Sequence, residues 1–146
     1  MKQRPENVQP WMPADEYGRS LKGFVINLLV KNIDDSLKFQ RDVLNAHVVY
    51  SDPDFAVLRG YDAEWMLHAD HTYNDHPMTG VVKDRETRGA GVELRLMGCD
   101  PDQAEARARE HDYIILQGAM DKPHGLREVF IADNDGYVWV PGIPLM

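Results

Sequence analysis

The sequence predicts an α+β fold in which two similar units follow one another along the chain. Two helix starts, at Asn32 and Asp100, lie 68 positions apart. Each helix start follows a short strand-like run and precedes further strand-like runs. The order strand, helix, strand, strand, strand therefore occurs twice, although a ferredoxin-like duplication would fit this periodicity nearly as well.

An N-terminal arm precedes the first unit. Residues 1–22 are polar and contain several prolines, and we predict an extended arm with one or two helical turns at 14–20. Trp11 and Met12 are apolar residues within this polar segment. We expect them to pack on the same chain rather than on a neighbouring subunit.

The first unit is predicted to contain one helix and four strands. Residues 24–30 are apolar and β-branched, which predicts a buried strand. Asn32 is a helix N-cap with Asp35 in the capping-box position, and Asn45 is a left-handed stop after a helix at 33–44. Alternating runs predict the other strands at 47–51, 54–59 and 63–69.

The second unit follows a polar linker at 70–91 and has stronger local signals. Residues 92–97 alternate as a strand does, and Asp100, Pro101 and Gln103 together make a helix start for 101–111. A strand at 113–116 and a long loop at 118–126 follow. The tight turn 133–136, which reads Asp-Asn-Asp-Gly, predicts a closing hairpin of strands 128–132 and 137–140.

Composition limits the classes of function. A chain of 146 residues with 43% hydrophobic content forms one domain with a real core. Its net charge of −8 argues against nucleic acid or an anionic membrane as the main partner. We expect no membrane span and no signal peptide. Because Cys99 is the single cysteine, no internal disulfide forms, and a cytoplasmic location is the default.

Three segments carry a resemblance to a known family. They are FVINLLVKNIDDSLKFQRDVLNA (24–46), VELRLMGCDPDQAEARARE (92–110) and HGLREVFIADNDGYVWV (124–140). Together they resemble the vicinal oxygen chelate superfamily, which includes glyoxalases, bleomycin-resistance proteins and extradiol dioxygenases. The third segment is the most specific, since it resembles the family pattern of Gly-x-Arg-Glu, a strand and then Asp-x-Asp-Gly.

The resemblance implies an architecture for the whole domain. It implies two βαβββ modules that form an open, cupped, eight-stranded mixed sheet, with the ligand site inside the cup and usually a dimer. The domain would span 23–142, with module one at 23–69, the linker at 70–91 and module two at 92–142.

The resemblance also implies where a metal site would lie. Family enzymes bind Zn, Ni, Fe or Mn through inward residues of the first and last strands of each module. These positions fall on Val25, Met66, Glu93 and Val140, although a two-residue shift at Met66 would give Glu64 or His68 instead. Two valines cannot coordinate a metal, so we expect no metal and no other cofactor.

His68-Ala69-Asp70-His71 is the alternative metal cluster, suited to Zn or Ni. We favour a polar strand end as the explanation of this cluster. Within it, alternation with Met66 directs His68 into the cup, where it would contact a ligand.

Glu93 is the candidate catalytic residue. An inward carboxylate in an apolar pocket would act as an acid or base or bind a cationic group, whereas the alternative is an ion pair with Arg95 on the same strand face. The ligand-binding residues predicted on these grounds are Asn27, Met66, His68, Glu93, Arg95, Met97 and Val140.

Two functions remain. The favoured one is a metal-independent binding protein of the glyoxalase/bleomycin-resistance type, a homodimer that holds a small organic ligand in the sheet cup. The alternative is a metal-dependent lyase or dioxygenase with an altered ligand set. Whether the protein is an enzyme therefore stays open, because a fold alone does not determine a function.

Overall fold

The computed structural model describes residues 2–146 and confirms the α+β fold with its two sets of four strands. The helices are α1 (Ala14–Ser20), α2 (Ile33–Asp42), α3 (Met78–Val82) and α4 (Pro101–Glu110). The strands are β1 (Asn27–Val30), β2 (His47–Ser51), β3 (Phe55–Gly60), β4 (Ala63–Ala69), β5 (Glu93–Met97), β6 (Ile114–Asp121), β7 (Leu126–Ala132) and β8 (Val138–Pro144). None of the helices within this described part is long and apolar enough to cross a membrane.

The eight strands form two mixed sheets of four. Sheet one has the order β1-β4-β3-β2, and sheet two has the order β5-β8-β7-β6. β1 pairs in parallel with β4 in sheet one, and β5 pairs in parallel with β8 in sheet two. The other neighbouring strands of each sheet pair antiparallel. Each sheet therefore repeats the same connection, as the predicted duplication requires.

The two sheets also share one register. Asn27 lies opposite Met66 in sheet one, and Arg95 lies opposite Val140 in sheet two. Asn27 and Arg95 are separated by the same 68 positions as the two helix starts. Met66 and Val140 therefore occupy equivalent places, and the register at Met66 needs no shift.

Two predicted strand boundaries are wrong. Residues 24–26 precede β1, and Phe24 is 91% exposed, so the apolar run does not begin in a buried strand. The first four residues of the predicted loop at 118–126 belong to β6, which continues to Asp121. The register between β6 and β7 shifts between Ile115 and Gln117 and again before Met120. Such bulges interrupt the alternation by which a strand is recognised in a sequence.

The helix ends follow the predicted local signals. Asp100 accepts a hydrogen bond from the Gln103 backbone N–H at 3.0 Å, and Pro101 opens α4. Asn45 has φ 55°, so it is the predicted left-handed stop after α2. The helix itself ends two residues earlier than predicted, at Asp42, although Leu44 is still fully buried.

The chain forms two compact units. Unit one contains the residues up to Asp34 together with Ala46–Lys83, and unit two contains Asp35–Asn45 together with Asp84–Met146. Most of α2 therefore belongs to unit two, where the Phe39 ring lies 4.9 Å from the Tyr113 ring. The predicted linker contains a short 3-10 turn, Asp70–Tyr73, as well as α3.

Candidate ligand-binding site

A cavity of about 390 Å³ lies over sheet one in unit one. The sheet and the N-terminal arm both line it, and its size is within the range of small-molecule pockets. Its apolar lining consists of Pro10, Trp11, Met12, Ala14, Tyr17, Leu21, Phe55 and Met66. A few polar side chains, among them His68, Thr72 and Asp52, complete the lining.

The arm forms an aromatic wall of this cavity. The Trp11 ring stacks on the Tyr50 ring, with centroids 4.9 Å apart and an angle of 22° between the planes. The Trp11 ring also lies 5.2 Å from Tyr17 and 6.2 Å from Phe55. Offset and tilted aromatic pairs of this kind stabilise beyond the area they bury. The predicted packing of Trp11 on its own chain is confirmed.

Asp54 anchors the start of the arm. Its carboxylate accepts hydrogen bonds from the Gln3 backbone N–H at 2.6 Å and the Arg4 backbone N–H at 3.0 Å. His71 Nε2 lies 2.7 Å from the same carboxylate. Burial would raise the pKa of Asp54, but the hydrogen bonds with His71 and the two N–H groups lower the pKa below its ordinary value. The anchor is therefore charged at neutral pH.

His68 lies on β4, at the polar side of the cavity. Its Nδ1 is 2.5 Å from Asn27 Oδ1, and Asn27 Nδ2 donates to the Tyr73 hydroxyl at 3.0 Å. The ring of Phe55 lies 4.9 Å from the imidazole. Burial lowers the pKa of His68, and the negative charge of Asp52 opposes that shift. The imidazole is therefore neutral at neutral pH.

Three of the predicted ligand-binding residues lie at this cavity. Met66 and His68 line it, and Asn27 lies behind His68 as its hydrogen-bond partner. Met66 is buried and packs with Tyr17 and Val57, so it forms an apolar floor. Sequence reasoning missed the contribution of the arm and of Tyr73, because both depend on contacts between distant parts of the chain.

The other four predicted residues lie in unit two. Arg95 Nη1 donates to Glu93 Oε1 at 2.7 Å, so the structure contains the ion pair that was the alternative to a catalytic Glu93. Glu93 is half-exposed, with 49% of its side chain accessible. Met97 is partly exposed and Val140 is fully buried.

Arg95 also belongs to a larger charged network that sequence reasoning missed. Its guanidinium donates to Glu128, whose other carboxylate oxygen lies 3.3 Å from His124 Nε2. The Glu128 side chain is only 2% exposed. Burial would raise the pKa of Glu128, but the hydrogen bonds and charges of Arg95 and His124 lower it. We call Glu93, Arg95, Glu128 and His124 the charged quartet.

A second depression, of about 500 Å³, lies over sheet two. The segment 87–92 forms one side of it, and Glu93, Ile114 and Val138 contribute to the remainder. Arg95, Met97 and Val140 do not line this depression. Of the four predicted residues in unit two, Glu93 is the one that lines this depression.

Comparison with known proteins identifies the family. The family model of the Glyoxalase/Bleomycin resistance protein/Dioxygenase superfamily matches residues 24–140. The chain belongs to this superfamily. No curated protein sequence matches the chain.

Solved structures of the glyoxalase/bleomycin-resistance fold resemble the chain over most of its length. A glyoxalase/bleomycin resistance protein/dioxygenase from Nocardioides is 17% identical, with a TM-score of 0.63, and the match covers 90% of this chain and 92% of that one. A family enzyme from Burkholderia phytofirmans is 12% identical, with a TM-score of 0.69 and coverage of 83% and 97%. A protein of unknown function from Agrobacterium tumefaciens is 19% identical, with a TM-score of 0.68 and coverage of 86% and 95%. At such identities the likeness shows the fold alone.

The residues that the resemblance assigns to the superfamily's metal positions do not fit a divalent metal. Of Val25, Met66, Glu93 and Val140, only Glu93 carries a hard donor atom, and Arg95 binds it. No group of three or more His, Cys, Asp and Glu side chains within residues 2–146 is arranged to hold a metal ion. In the alternative cluster, His68 is directed to Asn27 and His71 to Asp54, so the two imidazoles have different partners.

Proposed function

We propose that the protein is a metal-independent binding protein of the glyoxalase/bleomycin-resistance type, with its small organic ligand held over sheet one. The observation that carries the proposal is the cavity between the N-terminal arm and sheet one. An apolar pocket with a few placed polar groups is the usual form of a small-molecule site.

The donor atoms of the site support binding without a metal. Valine at two of the superfamily's four metal positions and a thioether at a third leave one carboxylate for coordination. Glu93 is half-exposed and already paired with Arg95, so its carboxylate is not held ready for a proton transfer to a bound ligand. We therefore propose binding, and no observation favours the lyase or dioxygenase alternative.

A homodimer and a cytoplasmic location complete the proposal. Exposed apolar side chains on sheet two, including Met97, Ile114 and Leu116, support self-association, because such groups gain from removal from water. Light scattering coupled to size-exclusion chromatography tests the dimer. The single cysteine supports the cytoplasm, and fractionation of cells tests it.

A thermal-shift screen of small organic molecules tests the proposed function. Each molecule is measured with a chelator and again with added Zn²⁺, Ni²⁺, Fe²⁺ or Mn²⁺. We expect molecules that raise the Tm equally in both conditions, since ligand binding to the folded state stabilises it by mass action. Stabilisation that requires a metal would contradict the proposal.

A matched pair of arm variants tests whether the ligand binds in the cavity. Trp11 and Val8 are similarly exposed, at 40% and 41%, but only Trp11 lines the cavity. For any molecule found in the screen, we expect Trp11→Ala to weaken binding about tenfold or more, whereas Val8→Ala leaves it near wild type. Equal affinities in the two variants would place the ligand elsewhere.

A further inference from the structure

We propose that His68 selects the ligand, and that the cavity prefers planar aromatic molecules carrying an O–H or N–H group that donates to His68 Nε2. This inference rests on the proposed function, because it assumes that the cavity over sheet one is the binding site. It adds the chemical class of the ligand and the atom that orients it.

The hydrogen bonds behind His68 determine which ring nitrogen carries the proton. Asn27 Nδ2 donates to the Tyr73 hydroxyl, which leaves Asn27 Oδ1 facing His68 Nδ1. A carbonyl oxygen only accepts, so Nδ1 must carry the hydrogen. A neutral imidazole has one N–H, and Nε2 therefore presents a lone pair.

The lone pair on Nε2 needs a donor that the chain does not supply. Within the described part of the chain, the hydrogen bonds of His68 involve Nδ1 alone. His68 lines a cavity whose surface is mainly apolar. An acceptor that a ligand removes from water without giving a hydrogen bond in return weakens binding, whereas a ligand that supplies a donor avoids this loss.

The shape of the cavity favours an aromatic skeleton. The rings of Trp11, Tyr17 and Phe55 form its walls, and the thioether of Met66 forms part of its floor. Aromatic faces and a polarizable sulfur both pack well against a flat ring. A cavity of about 390 Å³ has room for a two-ring molecule.

The surroundings of His68 maintain the neutral form that this role requires. Burial lowers the pKa of the imidazole, and Asp52 is the charged group that acts against this shift. Its hydrogen-bond partner on β1, Asn27, is uncharged, and the neighbouring ring of Phe55 carries no charge. Nε2 is therefore available as an acceptor under ordinary conditions.

Two probes of the same shape test the preference. We expect 2-naphthol to bind about tenfold to a hundredfold more tightly than 2-methoxynaphthalene by titration calorimetry at neutral pH, because only the naphthol can donate. Equal affinities would overturn the role of His68 but leave the proposed binding cavity standing. Failure of both probes to bind would overturn the proposed ligand class.

Two histidine variants test whether His68 causes the difference in affinity between the two probes. His68→Phe retains a ring but removes the acceptor, and we expect the two naphthalenes to bind it equally. His47 lies on β2 of the same sheet, is exposed and does not line the cavity, so His47→Phe should retain the full preference. If His68→Phe retains the preference, another residue accepts the hydrogen bond and the inference is wrong.

The tautomer is directly measurable in the unmodified protein. Long-range proton–nitrogen correlation spectra of 15N-labelled protein distinguish the two neutral tautomers of histidine. We expect the Nδ1–H tautomer for His68 in the absence of ligand. An Nε2–H tautomer would overturn the inference independently of any variant, and the arm variants and the screen would still report separately on the proposed function.

Discussion

The two modules place different chemistry on equivalent backbone positions. The shared register relates Asn27 to Arg95, Met66 to Val140, His68 to Gly142 and Phe55 to Glu128. Module one uses these positions for a neutral set of side chains beside a cavity. Module two uses the same positions for buried apolar packing and the charged quartet.

One pair of equivalent positions, His68 and Gly142, illustrates the difference. His68 lies opposite Phe55 in sheet one, whereas Gly142, which has no side chain, lies opposite Glu128 in sheet two. A Cβ built on Gly142 would lie 3.6 Å from Glu128 Cβ and from Met97 Sδ. The Glu128 and Met97 side chains therefore lie at ordinary contact distance from this position. A duplicated fold does not duplicate a site, because the site depends on side chains that the two copies do not share.

The turns between the last two strands of each module differ in how they are stabilised, and this difference leads to the largest predicted effect. In module two, Asp133 accepts hydrogen bonds from Trp139 Nε1 at 2.9 Å and from the backbone N–H groups of Asp135 and Tyr137. Burial raises the pKa of Asp133 to about 6, although these three donors oppose the shift. The equivalent turn of module one relies instead on Tyr61 and Asp62 in left-handed conformations.

The raised pKa of Asp133 predicts a pH-dependent stability. The protonated form is favoured in the folded state, so the stabilisation is complete below the ordinary pKa of 3.8 and is lost as the pH rises through about 6. Relative to Asp133→Asn, the free energy of unfolding of the wild type should fall by up to about 3 kcal/mol over this range. Urea denaturation of both proteins at a series of pH values measures the difference, and a flat difference would contradict the burial effect.

Removing the buried carboxylate of the charged quartet should have the next largest effect. Glu128→Gln leaves Arg95 with Glu93 as its one acidic partner, and we expect a loss of about 2 kcal/mol after allowance for the partial exposure of Arg95. Denaturant unfolding measures it. A loss within experimental error would show that the quartet does not stabilise module two.

Removing the Asp54 carboxylate, which anchors the arm, should lower the stability less and should mainly affect hydrogen exchange within the arm. Asp54→Ala removes the acceptor of the Gln3 and Arg4 amides, so these amides should exchange hydrogen at least about tenfold faster, with a global loss of about 1 to 2 kcal/mol. Asp15→Ala is the control, because the exposed Asp15 carboxylate contacts only its own helix, through an ion pair with Arg19 and a hydrogen bond from the Glu16 backbone N–H. Equal exchange in the two variants would show that Asp54 does not anchor the arm.

The smallest effect is expected at Glu93. Its ion pair with Arg95 is half-exposed, so Glu93→Gln should change the free energy of unfolding by less than about 1 kcal/mol. Under the proposed function it should also leave binding at the sheet-one cavity near wild type. Loss of binding with unchanged stability would instead support Glu93 as the residue that anchors the ligand, and it would contradict a site formed by module one and the arm alone.

Local signals in the sequence determined the elements of the fold. The cap at Asp100, the stop at Asn45 and the turn before Tyr137 act over three or four residues, and all three lie where they were predicted. Alternation located β2 and β4 correctly but failed along β6, where bulges disturb it. The sequence also predicted Met66 and His68 as neighbours of a ligand, because alternation along one strand places both on one face.

The groups that meet at the candidate site come together through contacts between distant parts of the chain. Asn27 and His68 are 41 positions apart, Asn27 and Tyr73 are 46 apart, and Gln3 reaches Asp54 over 51 positions. Such contacts depend on how strands pair and where the arm lies, and no local preference encodes them. Local sequence patterns are therefore sufficient to predict the duplicated βαβββ plan. Packing of distant segments places a cavity between the N-terminal arm and sheet one, and it brings the charged quartet together in module two.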